Sequence, residues 1–148
     1  MINELPIDHY NNNLHVLNLN SESVTHEESL KSTHADSSCL NWIVGHITVT
    51  RDGILSLLGK ERLCSPEMTE KYKRGSAILE RETAMPFDEL CQMFRDSQQV
   101  LIDAIAAYDF SADFEKAKRI QFFAFHEAYH CGQLGLLRRF VGKEGAIK

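Results

Sequence analysis

The chain has few of the residues that break regular structure: three prolines and eight glycines among 148 residues. Without frequent turn residues, and without any segment that alternates apolar and polar positions for long, a β-rich fold is excluded and a helical one is expected. No stretch approaches the roughly 20 apolar residues of a membrane span. Basic residues are also in deficit, with 16 Lys and Arg against 21 Asp and Glu and a net charge of -5. That balance argues against nucleic acid or an anionic membrane as a partner. The four cysteines, Cys39, Cys64, Cys91 and Cys131, form no CxxC pair; each reads as a small apolar side chain in a reducing compartment. The opening residues from Met1 to Pro6 show neither a basic segment nor an apolar one, so export is not expected and a cytoplasmic location is.

What is present organises into helices. A length of 148 residues suits a single domain across 1–148 with its own core. A first helix opens at Pro6 and carries Ile7, Tyr10, Leu14 and Leu17 on one face, although Asn11 to Asn13 weaken it on propensity. Residues 20–36 read as a polar connection. A second helix begins near Asp36, Ser37 and Ser38, any of which can cap it, and runs to about Gly59. Residues 60–86 form a long connection with room for a short helical turn. A third helix follows Pro86, with Asp88 and Glu89 in its first turn. The fourth opens around Ser111 to Asp113 and ends at Gly142, where Arg138 and Arg139 suit the negative end of the helix dipole. An all-α four-helix bundle with a long crossover between helices two and three is therefore expected.

The chemistry concentrates on the fourth helix. His126 and His130 are four apart, so their imidazoles lie one turn above the other and can converge on one ion. At about 100° per residue, Phe123, Leu137 and Val141 share their side, which places both histidines on the face expected to look into the core. A single buried histidine is most simply hydrogen-bonded and inert. Two stacked ones point to a metal, because neutral imidazole is the commonest nitrogen ligand of first-row ions. His46, flanked by Trp42, Ile43, Val49 and Thr50 on the second helix, is the candidate third ligand. Three ligands leave positions open, as catalytic sites do. The other histidines, His9, His15, His26 and His34, read as solvent-exposed.

Four neighbours have two readings each. Gln133 lies on the histidine side and either orients a ligand or bonds a neighbouring helix. Trp42 walls a pocket or packs in the core. Thr50 offers a pocket hydroxyl or returns a hydrogen bond to its own helix. Glu127 either reaches water at the metal or makes a structural salt bridge, the second being favoured. The string from His126 to His130 also matches HExxH, the zincin protease motif. Against a peptidase, only 18 residues follow His130, and Gln133 and Leu136 stand where the extended motif needs Gly and His.

The longer string His126-Glu-Ala-Tyr-His130-Cys-Gly-Gln133, with Asn41-Trp42-Ile43-Val44-Gly45-His46-Ile47 upstream and Tyr72-Lys73-Arg74-Gly75-Ser76 between them, resembles the DinB-like family of YfiT-like metalloenzymes. The resemblance covers nearly the whole chain. It implies a four-helix bundle, often dimeric, with a divalent metal held by His46, His126 and His130. Zinc or nickel are the first candidates, with iron and manganese also compatible with three imidazoles. Relatives in that family include thiol-dependent transferases, which implies a metal-dependent thiol S-transferase or a hydrolase acting on a small molecule, with a low-molecular-weight thiol as a partner. The alternative is a metal- or ligand-binding stress-response module without turnover.

Overall fold

The computed structural model describes residues 4–147. Met1 to Asn3, which carry part of the expectation about export, lie outside the described residues, as does Lys148. Among the described residues every regular element is helical. Four are long: α1 (Glu4–Ser21), α3 (Leu40–Leu57), α5 (Phe87–Ala107) and α6 (Phe114–Phe140). Two are short, α2 (His26–Ser29) and α4 (Pro66–Tyr72), and single 3-10 turns stand at Arg81–Thr83 and Phe110–Ala112. No helix among them is long and apolar enough to cross a membrane.

Local chemistry accounts for most of the boundaries. Thr25 and Glu28 form a reciprocal capping box that nucleates α2 inside the polar connection. Ser65 caps α4 ahead of Pro66, and Asp113 caps α6 by accepting from the Lys116 backbone N–H. Gly59 and Gly142, both at positive φ, end α3 and α6 in the left-handed conformation that glycine adopts without a Cβ penalty. The start of α3 differs from expectation. Its N-cap is Cys39, with no side-chain cap bond, because Ser37 is occupied with Thr33 and His34 in the preceding turn.

The long helices pack pairwise, α1 on α5 and α6, and α3 on α5 and α6, while α4 lies against α3. The asparagines that weaken α1 locally are used between helices. Asn13 donates to the Ala124 carbonyl at 3.2 Å, and Asn11 accepts from Gln98 at 3.0 Å. Arg138 is buried at the end of α6 and donates to the carbonyls of Asn20, Glu22 and Glu144, so it ties two chain segments together as well as answering a dipole.

Two apolar clusters fill the interior, one around Ile43, Ile47, Phe94 and Leu134, the other around Tyr10, Leu55, Leu101 and Ile120. Arg51, wholly buried, spans the gap between them, its guanidinium 3.6 Å above the Phe94 ring and 5.6 Å from that of Tyr10. It donates to both oxygens of Glu127, at 2.7 and 2.9 Å, and to the Phe94 carbonyl and the Ser97 hydroxyl. This bidentate pair sets the register of α3 against α6 one residue from His126 and five from His46.

Candidate metal centre

His46, His126 and His130 come together between α3 and α6, with one ring nitrogen from each lying within 4.8 Å of the others. His46 Nε2 is 3.3 Å from His126 Nε2, and His130 Nε2 is 3.2 Å from it. The outer nitrogens explain why these faces meet. His46 Nδ1–H donates to the Tyr72 carbonyl at 2.9 Å, and His130 Nδ1–H donates to Gln133 Oε1 at 2.7 Å. With their protons on Nδ1, both rings present a bare Nε2 lone pair to His126. One proton on His126 can satisfy only one of them, and His126 Nδ1 is itself buried without a partner.

A cation removes that conflict. An ion bound at zinc–nitrogen distances of about 2.0–2.1 Å with tetrahedral angles sets its nitrogens about 3.3–3.4 Å apart. The two spacings to His126 are close to this, and backbone and amide oxygens orienting the far nitrogens are the usual support of metal-bound histidine. The donor set therefore fits a divalent metal. The three rings are also kept neutral. Burial lowers His46 and His130 below the usual histidine value, and burial together with its two neighbours holds His126 down to about 4. Arg74 adds a further lowering at His46 and His126.

The depth of the site differs from the sequence reading. The buried face of α6 runs through Ala124, Glu127, Cys131 and Leu134, while His126 and His130 are only partly buried. They sit at the edge of the core face rather than within it, which leaves a route to solvent. Phase alone placed them too deep because the apolar side chains Phe122, Phe125, Tyr129, Leu136 and Phe140 are exposed on this helix.

The neighbours resolve as follows. Gln133 bonds His130. Trp42 is half-buried and stacks on His46, ring centroids 4.6 Å apart and planes within 9°. Thr50 returns its hydroxyl proton to the His46 carbonyl at 2.8 Å. Glu127 is buried with both oxygens on Arg51, which is the structural salt bridge rather than the base of the HExxH reading. All four cysteines are free and buried, and Cys131, whose thiol burial pushes far up, is outside the histidine group. His9, His15 and His34 are exposed; His26 is half-buried, contrary to expectation, under the one-turn helix that it opens.

Sequence reasoning missed three contributors. Gly45 lets α4 approach: a Cβ there would overlap the Tyr72 ring, whose own carbonyl orients His46. Tyr72 is held in place by its hydroxyl, which donates to Asn41 and accepts from the Met85 N–H. Arg51 stands beside Asp52 in the sequence, and nothing local marked it as the buried partner of Glu127. No family model, curated protein or solved structure matches the chain.

Proposed function

We propose that the protein holds a divalent metal on Nε2 of His46, His126 and His130 and works as a metal-dependent enzyme of the DinB-like kind, either a thiol S-transferase or a hydrolase. The observation that carries this reading is the convergence of three Nε2 atoms, those of His46 and His130 bared by tautomers that Tyr72 and Gln133 impose from outside and that of His126 lying between them. Zinc and nickel suit the donor set best, with iron and manganese next. The ion would supply Lewis acidity, lowering the pKa of a thiol or water toward neutrality. The protein's part is to keep three neutral imidazoles in place, with Trp42 against one of them and the partly exposed edge of α6 open to a small molecule.

The four long helices are read, on the same resemblance, as a four-helix bundle with residues 58–86 as its crossover. The four free thiols suit the cytoplasm, where they stay reduced. A homodimer is part of the proposal. Phe122, Phe125, Tyr129, Leu136 and Phe140 are exposed and fall within roughly 60° of one another around α6, a continuous apolar stripe of the sort that partners cover.

A binding module without turnover is the second reading. It is favoured by the absence of a carboxylate from the histidine group among the described residues, since that leaves no general base at hand. Elemental analysis of untagged protein and of His126→Ala tests the metal: bound metal in the first and near-zero metal in the second is expected, and equal near-zero content sinks the reading. An activity screen with low-molecular-weight thiols plus electrophiles, and with esters and amides, then separates the enzyme from the module.

A further inference from the structure

The exposed apolar side chains of α6 have a regular spacing. Phe122, Phe125, Tyr129, Gly132 and Leu136 follow one another at alternating intervals of three and four residues, the register of a seam between paired helices, and Phe140 extends it by a turn. From Ile120 to Leu137 the helix carries one formal charge, Glu127, and that one is buried, in a chain of which 25% is charged. The centre of a protein interface is depleted of charge in the same way. The four aromatic rings and Leu136 are 48–68% exposed. At about 150–250 Å² per aromatic side chain, that leaves roughly 500 Å² of apolar surface open on each copy and roughly 1,000 Å² in a pair, where specific interfaces begin. Gly132, with nothing within 4 Å of the place a Cβ would take, leaves room for a second helix to come close near the middle of the seam. Among the described residues no other helix exposes more than one large apolar side chain, so the match for this seam is a second α6, paired about a two-fold axis.

The seam borders the histidines. At about 100° per residue, His126 and His130 lie about 40° and 80° round α6 from Phe122, between the seam and the core-facing line of Glu127, Cys131 and Leu134. The exposed rings reach them: the Tyr129 centroid is 5.2 Å from that of His130, and the Phe122 centroid is 6.4 Å from that of His126. Gln133, which accepts the His130 Nδ1 proton, donates from Nε2 to the Tyr129 hydroxyl at 3.4 Å. On the core side the group is closed by α3, whose His46 comes within 3.3 Å of His126 with Trp42 stacked on its ring. The side of the histidine group left towards solvent is therefore the side of the seam. A helix with its side chains is about 10–12 Å across, wide enough to overhang both rings once it lies on the seam.

We propose that a second copy of this chain, paired through α6, closes the solvent side of each histidine centre, so that a small ligand is enclosed between two copies rather than held by one. This rests on the metal and dimer readings given above. Cobalt(II)-loaded protein tests it: EDTA strips the ion and the loss of visible absorption gives the rate. Wild type is followed above and below its dimer dissociation constant, measured by sedimentation, beside Leu136→Glu as a monomeric variant. That substitution lies ten residues from His126, about 15 Å along the helix. EDTA reaches the ion in the monomer, so the rate follows the monomer fraction. Stripping about tenfold slower is expected for wild type at about 100 times its dissociation constant, with the difference lost on dilution and a rate independent of concentration in Leu136→Glu. Equal rates for dimer and monomer overturn the inference and leave the metal and dimer readings intact. Protein that takes up no cobalt overturns the metal reading, protein that stays monomeric overturns the dimer reading, and either result takes this inference with it.

Discussion

Glu127 closes both carboxylate oxygens on the guanidinium of Arg51, and it does so between α6 and α3 with neither residue exposed to solvent. The pair is further fixed by its surroundings: the Phe94 carbonyl and the Ser97 hydroxyl accept from Nη1, and the Phe94 ring lies beneath. Any sliding of one helix along the other would break it, and would separate His46 from His126 as well.

Breaking that pair from one side leaves a buried charge without its counter-ion. Glu127→Ala should cost about 3–5 kcal/mol in urea unfolding. Replacing both partners, Arg51→Met with Glu127→Leu, should recover much of the loss because no charge is left stranded. A double variant as unstable as the single one would count against this account.

Gln133 acts on the metal through His130. Gln133→Ala removes the acceptor that keeps the His130 proton on Nδ1. Metal affinity, measured by competition with a chromophoric chelator, should fall about 10- to 100-fold with the fold unchanged by circular dichroism. Unaltered affinity would show that the tautomer is imposed by something else.

The metal-free protein should be acid-sensitive in a defined window. All three imidazoles are held below their unfolded value of 6.5, His126 to about 4. The unfolded chain therefore takes up protons before the folded one, and stability must decline as the pH falls from about 6.5 towards 4. Melting temperatures across that range should drop less steeply for His126→Ala than for wild type. Identical slopes would mean that His126 is not kept neutral by the fold.

Gly45→Ala places a methyl group in the Tyr72 ring. Overpacking of this kind costs about 1–3 kcal/mol or more. Because the displaced residue also orients His46, metal affinity should fall together with the melting temperature. A variant that melts normally and binds normally would remove Tyr72 from the account of the site.

The apolar stripe of α6 predicts association. Light scattering at micromolar concentration should report a dimer, and Phe125→Glu with Leu136→Glu should shift it to monomer without loss of helicity. Wild-type protein that is monomeric under those conditions would contradict the dimer.

Helical class was legible in the sequence, because scarce Gly and Pro and the absence of alternation are local properties. So was the stacking of His126 over His130, since four residues make about one turn of any helix. Capping was legible at Asp113 and not at Ser37, whose hydroxyl went to a turn of its own. How deep the histidines lie was not legible. α6 carries apolar residues on two sides, and only the positions of α1 and α3 decide which side becomes the core. The pairing of His46 with helix α6, the Tyr72 carbonyl behind it and the capture of Glu127 by Arg51 all join residues far apart in the chain. Those relationships depend on how helices dock. A sequence read by local periodicity states which residues share a face, and only the packed structure states what that face meets.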